Sequence, residues 1–495
     1  MIRRTSRRSP ALLLVSVACL TAAGKAHGES LKTALELYRA EENTKAALEL
    51  FGVLGHAADQ NDRDQAELYL AETLRKLDLL VPALFYYNDL FRAGPGNRGY
   101  LDAVMGLLAV QRELSDPLWV PSLINEKFNP EPFGRLPPDG VAQVNYLVGE
   151  LSFRQRKTQD ARAFLEFVPP TSASYPKALY LLAVLAVRSG DLASARRQFE
   201  AAAAISESPG DPESARRRNL ARLASARVAF GMGLFEEAAR SYDSVTGELA
   251  RTAAFERGWA SLRLGKDKDA LAAAQAAKLG QDRIAEAFVL EAITLFDNCM
   301  WPAAQQSARA FLDQYRDSIT TLDAYMRQEH KPELLYLHAA GGGLGHYSSA
   351  LARELHASGR FQNFRSIIIK MQVERWQVAN TPVWKDSRFS ADLGVILEKE
   401  SQNGELAAGL VVKAFLMDRL GFLQQQQKMA VTIARESAAA EALEREHGIE
   451  PTQGSTLTPS CHADQATGIP DAHKASEVQR RANFVPELLS SVHQL

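Results

Sequence analysis

The sequence predicts an all-α chain, a helix-turn-helix solenoid followed by a C-terminal helical extension. Three observations predict it. A small residue followed four positions later by a bulky one recurs along the first two thirds of the chain, at a nearly constant interval in the clearest cases. Apolar residues keep helical spacing on both sides of each glycine turn between these motifs. Residues 406–446 contain no proline and hold Val412, Leu416, Leu420 and Leu423 at helical spacing.

The N-terminal stretch differs from the rest. Arg3, Arg4, Arg7, Arg8 and Lys25 stand ahead of Glu29 with no acidic residue among them. The run from Ala11 to Leu20 is apolar but too short for a bilayer core of about 30 Å. Residues 1–28 therefore read as a signal peptide, with Ala26-His27-Gly28 as the cleavage site and a mature start near Glu29. The alternative is a lipoprotein anchored through Cys19, in which Ser16 stands where that motif wants an aliphatic residue. Export would place the chain in a periplasm. No later segment offers the uninterrupted apolar run of a membrane span.

Composition agrees. Over 495 residues, 57 Lys and Arg face 59 Asp and Glu, 46% are apolar and three are cysteine. That balance excludes a disordered chain, a disulfide-stapled miniprotein and a strongly basic nucleic-acid binder. Without the basic N-terminal segment the balance is 52 against 59, a net charge of −7, which opposes attraction to anionic lipid or nucleic acid. Of the two remaining cysteines, Cys299 in its apolar helical context reads as a buried free thiol, although export would permit a pair with Cys461.

Residues 29–317 carry the repeats. The motif falls at Ala47/Phe51, Ala83/Tyr87, Ala161/Leu165, Ala195/Phe199 and Ala238/Tyr242, and, with alanine in place of the bulky residue, at Ala270/Ala274 and Ala304/Ala308. The step from Ala161 to Ala195 equals that from Ala270 to Ala304, and the steps from Ala47 to Ala83 and from Ala238 to Ala270 differ from it by only two positions. Between Ala83 and Ala161 lie two units, with a degenerate one near Val120, and between Ala195 and Ala238 lies one unit with an insertion at Ser208–Pro212, which gives about eight units. The clearest runs Leu179-x-x-Leu182-Ala183-x-x-Ala186-x-x-x-Gly190-x-x-x-x-Ala195-x-x-x-Phe199-x-x-Ala202. Around 100–140, with Pro117, Pro121, Pro130, Pro132, Pro137 and Pro138, a helix pair is expected to give way to a loop.

This pattern resembles the tetratricopeptide repeat. The resemblance implies units of two antiparallel helices stacked into a right-handed superhelix with a concave inner surface. Gly149 and Gly258 match the family's small residue in the first helix, Gly190, Gly233 and Gly265 its turn, and the alanines its tight point on the second helix. The first helices line the groove in that family, which places Tyr146, Phe153, Tyr180, Phe230, Phe255, Trp259 and Phe296 as candidate partner-binding residues. Such a row suits an extended peptide or a partner helix; the other reading packs several of these rings between successive helices. Where chaperone-binding members place asparagine for a terminal carboxylate, this chain has Leu147, Leu181, Ala224, Glu256 and Leu290, so that function is not expected.

Residues 318–447 read as a helical region that caps or extends the solenoid, weakened slightly by Gly409 and Gly421, and residues 448–495 as a loosely ordered tail. One segment looks like chemistry. Gly341-Gly342-Gly343-Leu344-Gly345-His346, after Leu334–His338, resembles the strand and glycine loop of nucleotide-sugar glycosyltransferases. A nucleotide domain would need further alternating strands and helices that do not follow, and glycines that merely break a helix explain 341–345 without a ligand. His56, His330, His338, His346 and His356 form no zinc-protease spacing, Ser348 and Ser349 lack a hydrolase frame, and Cys299 and Cys461 form no metal pair. Arg216, Arg217, Arg218, Arg222 and Arg227 form either a contact for an acidic partner or the solvated face of a helix.

The expected function is a non-enzymatic periplasmic scaffold without cofactor or metal, binding envelope proteins or peptides. Signal peptide, repeat array and long helical C-terminus resemble the periplasmic repeat proteins of adventurous gliding-motility complexes. The alternatives are a lipoprotein that aids assembly of outer-membrane or secretion components, and a glycosyltransferase-like envelope enzyme using 341–346.

Overall fold

A computed structural model describes residues 31–205, 212–280, 283–346 and 349–446. The expected signal peptide, the 448–495 tail and most of the 208–212 insertion lie outside them. Among the described residues the chain is helical, with no strand.

The array pairs α1 (Leu31–Arg39) with α2 (Asn43–His56), α3 (Gln60–Lys76) with α4 (Leu80–Ala93), and α5 (Tyr100–Leu114) with α6 (Trp119–Glu126). After the single turn α7 (Pro130–Phe133) it pairs α8 (Pro138–Arg154) with α9 (Thr158–Glu166) and α10 (Tyr175–Arg188) with α11 (Leu192–Ala204). Then come α12 (Pro212–Gly231) with α13 (Phe235–Asp243), α14 (Ala250–Arg263) with α15 (Asp267–Lys278), and α16 (Glu286–Asp297) with α17 (Trp301–Met326). Each helix packs on the next, and first helices stack across pairs, α1 on α3, α3 on α5, α5 on α8, α8 on α10 and α14 on α16. That is a helical solenoid, in which no pair can bury its apolar face without a neighbour.

The turn inside each pair repeats one backbone device. A single residue takes a left-handed φ at Glu41, Asp78, Ser115, Arg156, Gly190, Gly233, Gly265 and Cys299. Glycine adopts this conformation freely, whereas the five others carry strain in it. The seven aligned alanines of the second helices are fully buried. A Cβ on Gly149 would stand 2.8 Å from Leu165, and one on Gly258 would stand 2.8 Å from Ala273. Small residues therefore sit where helix axes come closest.

Two expectations need correction. The stretch 100–140 stays helical, because Pro121, Pro130, Pro132 and Pro138 each fall in the first turn of a helix, where a missing N–H costs no hydrogen bond. Cys299 is not a free thiol but is disulfide-bonded; the other two cysteines, Cys19 and Cys461, lie outside the described residues.

Beyond the array come α18 (Pro332–Ala340), α19 (Ser349–Ala357), α20 (Gly359–Asn380) and α21 (Arg388–Glu446). They fold back along the solenoid instead of prolonging it. α20 runs past the turns of the first pairs: Gln377 Nε2 donates to Leu77 O at 2.9 Å, and the Glu374 carboxylate accepts from Leu80 N at 2.9 Å and Val81 N at 3.2 Å at the start of α4. Just beyond α20, Trp384 is fully buried and its Nε1 donates to Thr44 O at 2.7 Å. α21 has 59 residues, about 88 Å of helix. It begins with Phe389 against Phe51, ring centroids 4.9 Å apart, and ends along α17, where Gln424 bonds Asp323 at 3.4 Å and Gln305 bonds Glu441 at 2.7 Å. One helix thus touches both the first and the last pair. Gly409 permits this: a Cβ there would stand 1.7 Å from Pro332 O, so only glycine lets α18 lie so close.

Candidate interaction surface

The predicted aromatic row is not an exposed groove. Tyr146, Phe153, Tyr180, Phe255, Trp259 and Phe296 are buried, and Phe230 is partly buried. The rings meet neighbouring helices of the array. Tyr180 packs edge-on to Phe199 at 4.9 Å, Phe230 to Phe235 at 5.3 Å and Phe296 to Trp301 at 4.9 Å. Phe153 lies under the Arg188 guanidinium at 4.1 Å. Tyr146 bonds Glu150, and burial raises its phenol well above the ordinary value. Of the two readings left open, packing between helices is the observed one: the short turn inside each pair brings the helices so close that large rings fill the space between them.

The arginine set is not a solvated face either. Arg216 pairs with Glu248 at 2.7 Å, Arg222 donates to Ser244 O at 2.9 Å, and Arg217 donates to Ser214 Oγ at 3.1 Å, while Arg218 is exposed. Arg227 is buried and grips Glu256 through Nε at 2.9 Å and Nη2 at 2.6 Å. That two-pronged pair ties α12 to α14 and occupies one of the former clamp positions. The other four, Leu147, Leu181, Ala224 and Leu290, are buried core.

The glycine segment lacks the strand that a phosphate-binding loop needs in front of it. Residues 334–338 belong to α18, Gly341 closes that helix, and Gly342 takes φ +81°. A Cβ on Gly343 would strike the His338 ring at 2.3 Å, so this glycine makes room for a histidine that stacks on Tyr325 at 5.8 Å. The segment works as a turn between α18 and α19. Among the described residues, no group of three or more His, Cys, Asp or Glu side chains is placed to hold a metal ion, and no helix is long and apolar enough to cross a membrane.

Most of the exposed large apolar side chains lie in the C-terminal helices, although Phe167 and Leu279 of the array are exposed too. On α20, Ile369, Val373 and Trp376 fall at i, i+4 and i+7, with Trp376 68% exposed. On α21, Val395, Leu406, Leu410, Met417 and Val431 are each exposed and fall within a sector of about 60° at 3.6 residues per turn. The opposite faces of both helices, through Ile367, Ile368, Met371, Val412, Leu416 and Leu423, are core. Helices that are apolar on two faces are either buried between partners or present a binding surface. The sequence carries this signal as the 369/373/376 spacing, hidden by the core residues interleaved with it.

No family model matches the chain, and no curated protein matches it. Among solved structures, one similar chain is a circular tandem repeat protein with novel repeat topology and enhanced subunit contact surfaces, 16% identical over 82% of this chain and 90% of that one. Its TM-score of 0.13 is too low to bear on the fold, which stands on the chain's own helices as an all-α solenoid of stacked pairs.

Proposed function

We propose that the chain is an exported scaffold of the tetratricopeptide-repeat type, which holds other proteins of a bacterial cell-envelope assembly in the periplasm. The observation that carries the scaffold reading is the solenoid itself: eight helix pairs, each turning on a single left-handed residue, and a long closing helix that keeps an apolar face in solvent. Such a stack offers extended surface rather than one enclosed cavity. Service in a gliding-motility complex is the narrower proposal and rests on architectural resemblance alone.

The test is in-cell crosslinking from a photoreactive residue at Trp376 or Met417, followed by identification of the captured proteins. Envelope proteins captured from these positions, and not from buried Tyr180, support the scaffold. Failure to capture any protein from either exposed position removes it. Mass spectrometry of the mature N-terminus, expected at Glu29, tests export separately; a lipid on Cys19 would support the lipoprotein alternative instead.

A further inference from the structure

The helix that closes the array keeps a stripe in solvent. Leu406, Leu410, Met417 and Val431 of α21 are exposed and share a sector of about 60°, and Leu410 and Met417 are each more than half exposed. Lys413 and Lys428 fall in the same sector and are exposed as well. From Val395 to Arg435 no acidic residue falls in it. α18, which lies against Gly409, exposes Leu334 and Leu337 too. Single apolar side chains are ordinary on a protein surface, whereas a row of them on a helix whose other face is already core marks a docking site.

The chain continues past Glu446, the last residue of α21, and residues 486–495 carry a matching pattern. Leu488, Leu489, Val492 and Leu495 recur at i, i+1, i+4 and i+7 behind Pro486 and Glu487, a proline and an acid that suit the first turn of a helix. The segment holds this one acid and no Lys or Arg, which complements the basic stripe. As a helix it would measure about 15 Å, close to the distance of about 16 Å along α21 from Leu406 to Met417. A helix this short is marginal by itself in water, so burial of its apolar side is what would order it. From Glu446 back to Met417 is about 44 Å along α21, whereas residues 447–485 can extend to about 130 Å. A segment tethered in this way meets the stripe at an effective concentration of the order of millimolar. A second copy has no such advantage, and its own Lys413 and Lys428 would bring like charges to the same face.

We propose that residues 486–495 dock as an amphipathic helix on the Leu406–Met417 stretch of α21, beside Lys413, and cover a face that a partner reaches only by displacing them. The stripe of α20 around Trp376 stays open. Docking within one chain needs no partner protein, so it goes beyond the scaffold reading and stands or falls separately from it.

Methionine oxidation by dilute hydrogen peroxide, mapped by peptide mass spectrometry on the purified whole protein, reads the cover, because sulfoxide formation follows solvent access. Met232, exposed on the array, is the internal reference. Met417 is the more exposed of the two on the bare helix, so a docked segment is expected to make it the slower to oxidise. Leu488→Asp together with Leu489→Asp should speed oxidation of Met417 severalfold and leave Met232 unchanged. Leu410→Asp, on the other side of the contact, should speed hydrogen exchange in residues 486–495 without lowering the thermal midpoint. Equal Met417 rates in the wild type and the double variant overturn the proposal. Protection of Met417 that grows with protein concentration assigns the face to a second copy and overturns it too. Either result leaves the scaffold reading to its own test at Trp376.

Discussion

Glu374→Gln probes the contact that closes the C-terminal helices onto the array. Glu374 is 0% exposed and caps α4 through Leu80 N and Val81 N. Burial pushes its carboxyl from 4.5 up to about 7, against the pull of those two N–H groups and of Lys370. A folded-state pKa above the unfolded value means that the native state holds the proton more tightly. The associated stability is complete below the unfolded pKa and is lost as pH rises through the folded one. The difference between 4.5 and about 7, at 1.36 kcal/mol per unit, gives about 3 kcal/mol in total. Some 2.5 kcal/mol, roughly, falls between about pH 5 and about pH 8.

Glutamine keeps an acceptor for one of the two N–H groups but cannot titrate. The variant should lie within about 1 kcal/mol of wild type at the acid end and gain on it steadily as pH rises. Urea unfolding followed by far-UV circular dichroism across that range measures the difference, and hydrogen exchange at the Leu80 and Val81 amides reports the local contact. Burial also pushes Glu67 up to about 8 and Asp89 up to about 6, but both titrate in either protein and drop out of the comparison. Parallel stability curves for the two proteins would refute the reasoning.

Three further perturbations separate strain, packing and charge. Glu41→Gly relieves a left-handed backbone at an exposed turn and should stabilise by about 1 kcal/mol; an unchanged urea midpoint would mean that the turn is not strained. Gly409→Ala forces a methyl into Pro332 O and should cost about 1–3 kcal/mol or more, with faster hydrogen exchange in α18 than in α10 as its local sign; uniform exchange would contradict the close approach. Arg227→Met leaves Glu256 buried without its main partner and should cost about 3–5 kcal/mol, most of it recovered by adding Glu256→Leu; no recovery in a thermal melt would show that packing, rather than charge, sets the loss.

What the sequence determined by itself was the local grammar of the array. The alanine spacing marks the buried contact points, because a helix pair can close only over a small side chain, and Gly190, Gly233 and Gly265 mark left-handed turns, because glycine alone enters them without strain. The same turn at Glu41, Asp78, Ser115, Arg156 and Cys299 could not be read, since no residue type announces it there. Nor could periodicity tell whether Tyr180 or Trp259 faces a groove or a neighbouring helix: both faces of a stacked helix are apolar, and only the packed structure assigns each ring to a side. The fold-back of α20 and α21 was decided by tertiary structure alone. It depends on contacts between distant parts of the chain, such as Glu374 with Leu80, and on Gly409, whose glycine weakens a helix locally but admits another chain segment against it.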